Sequence, residues 1–308
     1  MAGWVAVTPA RDEAADIPRL AASLAAQTLP PRRWIVVDNG STDGTPEVVE
    51  AFALEHPWAE VLSIPPAVAI ARGGPSARAL NAGIAAVGED DPPDMVLNLD
   101  ADVALPPDFA ARLAAALAAD PGLGIVGGSC YEHDGTAWRQ RHVTGDTVWG
   151  AARAFRWECL RQIGPVEERM SWDSLSQLRA NALGWRTLTL LDLPFEHHRP
   201  EGGRDGSRWR ARASEGASAW YMWYRPWYLG LRAALHVCRG EIGALGLIGG
   251  YAGAALRREP RSPDPLIREH VRRVQSPARL VDRVREARRP GRSAETRSAD
   301  SADSGGVG

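Results

Sequence analysis

Short apolar runs alternate with segments of helical spacing from Trp4 to Gly127, and few folds accept that rhythm. Trp4–Thr8, Trp34–Val37, Val61–Ile64 and Met95–Leu99 read as strands, and Gly124–Gly127 begins a fifth. Between them lie Ala14–Gln27, Thr45–Leu54, Ser76–Val87 and Pro107–Ala118. In the first of these, Ile17, Leu20 and Leu24 fall on one face, as a helix packed against a sheet requires. Strands separated by helices of about 10–15 residues form βαβ units, so the spacing predicts an α/β fold with a mainly parallel sheet flanked by helices.

After Gly128 the rhythm changes. Val143–Phe155 reads as an irregular strand region, Arg156–Ile163 as a short helix, Leu175–Leu183 as a helix and Thr187–Phe195 as a strand. Trp209–Leu256 is aromatic and helical, and from Arg288 onward Ser, Ala, Asp, Gly and Arg dominate. Such a tail buries too little apolar surface to offset the entropy of ordering it, which predicts disorder. The expected division is therefore a catalytic domain over 1–207, a helical C-terminal extension over 208–287 and a disordered tail over 288–308.

Composition narrows the function classes. A formal charge of -2 gives no bulk attraction to nucleic acid or to an anionic membrane. All 36 basic residues are arginine, a bias expected of GC-rich codons rather than of function. Cys130, Cys159 and Cys238 are far apart and form no CxxC pair, so reduced thiols in the cytoplasm fit better than disulfides. The start of the chain has no signal-peptide pattern. The longest uncharged apolar stretch, Ile242–Leu256, has 15 residues and five glycines, whereas a spanning helix needs about 20.

In open α/β sheets ligands bind at the carboxyl ends of the strands. Here those ends are Thr8-Pro9, Asp38-Asn39 and Asp100-Ala101-Asp102, which predicts one polar crevice. Two carboxylates one residue apart can hold a divalent ion jointly; Mg²⁺ commonly takes one or two carboxylates plus substrate phosphates. The plainer reading of Asp100 and Asp102 is an N-cap cluster before the helix that follows Pro106-Pro107.

Context favours the metal. Val5-Ala-Val-Thr-Pro-Ala-Arg-Asp-Glu13, Val36-Val-Asp-Asn-Gly-Ser-Thr-Asp-Gly-Thr45 and Leu97-Asn-Leu-Asp-Ala-Asp-Val103 occur in that order. Together they resemble the family-2 glycosyltransferases of GT-A, Rossmann-like fold. The resemblance runs on through Ala79-Leu-Asn-Ala-Gly83, Trp149-Gly-Ala151 and Trp172-Asp173, and covers roughly Val5 to Pro200. It implies transfer of a sugar from a nucleotide-diphosphate donor to an acceptor hydroxyl, with inversion and with Mg²⁺ or Mn²⁺, in cell-envelope or polysaccharide synthesis.

By that resemblance, Pro9, with Arg11 and Glu13 of the same turn, lines the donor pocket. Asp38 contacts the nucleoside; its plainer role is a turn former. Asp102 binds the metal. Asp100, across Ala101, contacts ribose, metal-bound water or the metal itself. Arg78 or Arg72 faces the diphosphate or base. Inversion requires a base for the acceptor proton, and Asp173 stands where the family places it, with an N-cap as the alternative. Trp172, in place of the family's first acid, is a candidate acceptor platform. Glu196-His197-His198-Arg199 could supply a further metal ligand, and at most one of His197 and His198 fills that role, since neighbours in an extended chain point to opposite sides. Arg199 could steady the diphosphate, and Gly202–Gly206 could close over the donor.

Trp220–Tyr228 holds six aromatics in nine residues. It reads as a helix packed on the catalytic domain, with peripheral contact on the inner face of the membrane through 220–257 as the rival reading. The acceptor is then a glycan or a lipid-linked glycan. Two other functions compete with transfer: a catalytically inactive nucleotide-sugar-binding protein, and a haloacid-dehalogenase-type phosphatase. The phosphatase fold would put its DxD on an early strand. A nicotinamide enzyme is excluded by the first turn, Thr8–Glu13, which lacks the glycines that admit a pyrophosphate.

Overall fold

The computed structural model describes residues 3–66, 73–133, 137–141, 147–199, 208–238 and 240–279. The expected C-terminal tail, Gly202–Gly206 and Arg72 lie outside the described residues.

The centre of the molecule is a nine-stranded sheet. Its first four strands in space are β3 (Ala59–Ser63), β2 (Arg33–Asp38), β1 (Trp4–Ala10) and β4 (Met95–Leu99), all parallel. Their side chains alternate between two cores, as period-2 strands must. Trp4, Ala6, Trp34 and Val36 face one side, where α1 (Ile17–Ala25), α2 (Thr45–Ala53) and α4 (Phe109–Ala119) supply Ile17, Leu20, Leu24, Val49, Phe109 and Leu113. Val5, Val7, Ile35 and Val37 face the other, against Ala77 and Leu80 of α3 (Gly74–Val87) and Leu160 of α5 (Trp157–Ile163). A strand covered on both faces needs near-continuous apolar residues, which is why these strands stand out in the sequence. The approach of α3 is close: a Cβ on Gly83 would lie 2.3 Å from Val7 Cγ1.

Beyond β4 the sheet turns mixed. β8 (Ala152–Arg156) lies antiparallel between β4 and β6 (Leu123–His133), and β9 (Arg186–His197) runs parallel to β6. The two-residue β5 (Val103–Ala104) closes on β9, pairing Val103 with His197, and β7 (Trp138–Gln140) pairs with the end of β6. The irregular strand expected over 143–155 is thus confined to β8 among the described residues. α6 (Trp172–Ala182) packs under the sheet beside β8.

Four helices follow: α7 (Arg208–Tyr221), α8 (Pro226–Cys238), α9 (Leu245–Leu256) and α10 (Pro265–Val274). α7 and α9 touch backbone to backbone; a Cβ on Gly250 would sit 1.8 Å from the Ala213 carbonyl oxygen. α10 docks on α6, where Ile267 and Val271 share a buried cluster with Leu175, Tyr221 and Met222. The helical extension therefore braces the helix that carries Asp173. No helix among the described residues is long and apolar enough to cross a membrane.

Candidate active site

The carboxyl ends of β1, β2 and β4 converge, as the parallel topology requires, and two loops there are stitched together. Asp12 N–H donates to Ser41 Oγ (2.9 Å), Glu13 N–H to Thr45 Oγ1 (2.8 Å) and Ala14 N–H to Asp43 Oδ2 (2.9 Å). Thr42 N–H returns a bond to Asp12 Oδ1 (2.8 Å). The Ser41-Thr42-Asp43-Gly44-Thr45 part of the motif is a clamp between loops. Asp38, buried at the end of β2, accepts from the N–H groups of Gly40 (3.2 Å) and Ser41 (3.1 Å), the geometry of a turn former. Pro9, next to last in β1, is half-buried, Arg11 is exposed, and Arg78 lies half-buried on α3 without a salt bridge among the described residues.

Asp100 and Asp102 follow β4. Asp102 is buried, and its backbone oxygen accepts from His198 N–H (2.9 Å) because β5 pairs with β9. That pairing places His197 Nε2 3.4 Å from Asp102 Oδ1, while His197 Nδ1 lies 3.2 Å from Glu132 Oε1 on β6. Ala101 turns into the apolar core. The nearest oxygens and ring nitrogen of Asp100, Asp102 and His197 all lie within 4.8 Å of one another.

His198 is not part of this group. It points to the opposite side of the chain, with Nε2 3.2 Å from Glu196 Oε2 and its ring against Trp138. Of the two histidines offered as ligands, the structure brings one to the carboxylates; strand alternation is the reason.

The electrostatics follow from burial and charge. Burial, then the neighbouring charge of Asp102, push the Asp100 carboxyl up to about 6; the charges of Asp173 and Glu13 act in the same direction. Burial also acts against ionised Asp102, but the hydrogen bond and charge of His197, with Arg199, outweigh it and hold that carboxyl at about 2. His197 shows the converse: burial opposes its charge, and hydrogen bonds to Asp102, Cys130 and Glu132 raise it to about 12. Arg199 Nε donates to Asp102 Oδ2 (2.7 Å), and its terminal nitrogen bonds Glu13. The site is an acidic cluster in which His197 and Arg199 supply compensating positive charge; a divalent cation would take over that role from the His197 proton, leaving the neutral imidazole free to ligate. The carboxylate oxygens suit Mg²⁺ or Mn²⁺ chemically. The raised Asp100 marks a place where more positive charge is favourable, so these residues fit a divalent cation.

Asp173 sits in the second position of α6; the N-cap is Ser171, in the left-handed region at φ 65°. Asp173 is not the cap, and its carboxylate is partly exposed toward the crevice beside Gly150. Beneath it lies Arg153 of β8, 1% exposed. Arg153 donates to the Asp173 backbone oxygen (2.6 Å) and to the Val148 oxygen, and its guanidinium is 4.0 Å from Asp173 Oδ2. Trp172 is half-buried against the core. Sequence reasoning missed Arg153, Glu132 and Cys130. The one available signal was an arginine at an inward position of an apolar strand, in Ala152-Arg-Ala-Phe155.

Fold and site together define a glycosyltransferase of GT-A architecture. The chain belongs to glycosyl transferase family 2, whose model matches residues 5–170. No curated protein sequence matches the chain. Among solved structures, a mannosyltransferase from Pyrobaculum calidifontis, in complex with GDP-Man and Mn²⁺, is 21% identical with a TM-score of 0.56; the match covers 92% of this chain and 84% of that one. S. aureus TarS 1-349 is 19% identical with a TM-score of 0.51, covering 68% of this chain and 64% of the other. At these identities the likeness is one of fold. Family membership removes the phosphatase reading.

Proposed function

We propose that this protein moves a sugar from a nucleotide-diphosphate donor to the hydroxyl of a glycan or lipid-linked glycan acceptor, with inversion and with Mg²⁺ or Mn²⁺. The work belongs to cell-envelope or polysaccharide synthesis on the cytoplasmic side. The observation that carries this reading is the juxtaposition of Asp100, Asp102 and His197 with Asp173, whose charge is felt at Asp100.

In this reading Asp102, Asp100 and His197 would hold the cation, His197 giving up its proton to bind as the neutral imidazole. When bound, that cation offsets the charge developing on the leaving diphosphate. Asp38, Pro9, Arg11 and Arg78 line the nucleotide side of the crevice. Arg199 exchanges its carboxylate partners for donor oxygens, for which its fork of N–H groups is suited. Asp173 accepts the acceptor's proton at its partly exposed carboxylate as the hydroxyl attacks the anomeric carbon from the face opposite the leaving group. Trp172 offers an aromatic face to the acceptor. The catalytic domain over 1–207, the helical extension over 208–287 and the tail over 288–308 are the corresponding units.

GDP-Man and UDP-GlcNAc are the first donors to test, since the P. calidifontis enzyme and TarS were solved with them. Thermal shift against a panel of nucleotide sugars, with and without Mn²⁺, reads donor and metal binding together. Asp102→Asn should lose the metal-dependent shift. Asp173→Asn should keep the shift and lose transfer. Full transfer by Asp173→Asn would remove it as the base, and a donor shift indifferent to Mn²⁺ would remove the metal. Donor binding with neither transfer nor hydrolysis in the wild type would favour the inactive-binder reading.

A further inference from the structure

A cavity of about 540 Å³ lies in the helical extension, lined by Trp220, Trp223, Tyr224, Tyr251, Arg225, Arg261 and Arg272. None of the crevice carboxylates reaches it. Its aromatic rings are held by their polar ends: Trp220 Nε1 donates to the Glu259 oxygen (2.9 Å), Trp223 Nε1 to the Ser262 oxygen (2.9 Å) and the Tyr251 hydroxyl to the Tyr224 oxygen (2.7 Å). Trp223 takes φ 63°, a conformation an L residue rarely adopts, so the tight turn before α8 is held against its preference.

Arg225 and Arg261 are equally fixed. The Arg261 guanidinium lies 3.5 Å from the centre of the Trp220 ring and 4.5 Å from that of Trp223. Arg225 is tied through its N–H to Gln275 (2.9 Å) and through its guanidinium to the Arg272 backbone oxygen (3.3 Å), and its Nε is buried without a hydrogen-bond partner. None of Arg225, Arg261 and Arg272 has a carboxylate partner among the described residues. The nearby acids are taken, Asp264 by Arg179 (3.4 Å) and Glu259 by Arg257 (2.9 Å). Two positioned guanidiniums, those of Arg225 and Arg261, with the exposed Arg272 at the rim, form a receptor for an oxyanion, and guanidinium geometry favours phosphate.

The surface beside the cavity is apolar. Tyr251 and Ala255 of α9 line the cavity wall. At about 100° per residue, Ile248, Ala252, Leu245 and Leu256 come next around that helix. Ile248 and Leu245 are each 44% exposed and Leu256 85%, and Ile242 (70%) and Trp209 (51%) extend the strip. An apolar strip of this kind, with no covering element among the described residues, marks an interaction surface. Cationic pockets at the edge of an exposed apolar helix face match one occupant: an anionic lipid surface, with acyl chains against α9 and a headgroup phosphate in the cavity.

We propose that the helical extension docks on anionic membrane, with Arg225, Arg261 and Arg272 receiving lipid phosphate and the outer face of α9 entering the interface. The docking is separate from donor binding and does not rest on the catalytic reading.

The test is co-sedimentation of the full chain with vesicles of phosphatidylcholine, with and without phosphatidylglycerol. Binding should require phosphatidylglycerol and weaken as salt rises. Arg225→Gln with Arg272→Gln should lower vesicle affinity about 25-fold, at about fivefold per arginine near an anionic surface. Ile248→Asn with Leu256→Asn should lower it independently. Arg272→Gln alone, at an exposed position, keeps the test sound if the double variant misfolds. Inorganic phosphate at the lipid-phosphate concentration should not displace the protein. Wild-type affinity in the arginine variants, equal binding to pure phosphatidylcholine, no vesicle binding at all, or displacement by equimolar inorganic phosphate would each overturn the proposal.

Discussion

Arg153→Met tests whether a buried cation sets the catalytic helix. Methionine approximates the arginine stem and keeps the pocket filled, so the loss isolates the guanidinium. Two backbone oxygens, those of Val148 and Asp173, lose a donor in a region where Arg153 itself is 1% exposed. The Asp173 oxygen keeps the Ser176 hydroxyl (2.9 Å), so one acceptor, the Val148 oxygen, is left unpaired, at about 1–3 kcal/mol. Removing a charge that folding must desolvate offsets part of this. The balance is a destabilisation of at most about 2 kcal/mol, which lowers a urea midpoint by up to about 1 M for a slope near 2 kcal/mol/M. The same change frees the first turn of α6, and misplacing a reacting group by about 1 Å can cost about 100-fold in rate. Transfer at saturating donor should therefore fall well beyond any change in donor KM. Arg153→Lys, which keeps charge but not the fork, should recover part of the stability and less of the rate. A methionine variant that unfolds at the wild-type urea concentration and transfers at the wild-type rate would refute the reasoning.

His197→Gln should abolish most of the Mn²⁺-dependent thermal shift, whereas His198→Gln should leave it within the wild-type range, because only His197 faces Asp102; equal effects of the two would contradict the β5–β9 register. Gly250→Ala should cost about 1–3 kcal/mol in chemical denaturation despite the ~1 kcal/mol of helix propensity that alanine adds, since the new methyl meets the backbone of α7 rather than a side chain that can rotate away. Gly83→Ala should cost a similar amount, about 1–3 kcal/mol, through Val7 and Val37, and a neutral result would mean that α3 can shift off the sheet.

What the sequence disclosed and what it hid divide along the distance between partners. β1, β2 and β4 were legible because a strand buried on both faces writes its environment into consecutive residues. Asp38 and Asp100-Ala101-Asp102 were legible as a consequence, since a strand's end fixes where its polar residues emerge. β5 was not, because two residues form a strand only when a partner 94 residues later, His197 opposite Val103, supplies the ladder. β8 was obscured by arginine at two of its five positions, Arg153 and Arg156; Arg153 is stabilised there by oxygens of Val148 and of Asp173, on a different element. Glu132 and Cys130 gave no local sign at all, since their role depends on the register that brings β6 beside β9.

The same dependence explains why the acidic cluster holds together. Asp100 and Asp102 are one residue apart in sequence, but the charges that make their burial tolerable come from β9 and the residues after it, His197 and Arg199. Buried carboxylates in a low-dielectric crevice need positive charge beside them, here Arg199 together with either a protonated His197 or a bound divalent ion. A pairing of β9 with β6 shifted by one residue would turn His197 away from Asp102 and leave the acids uncompensated, besides moving Phe195 out of the core. The charge requirement of the site and the apolar pattern of the strand thus select the same register, so the arrangement that completes the core is also the one that assembles the candidate metal ligands.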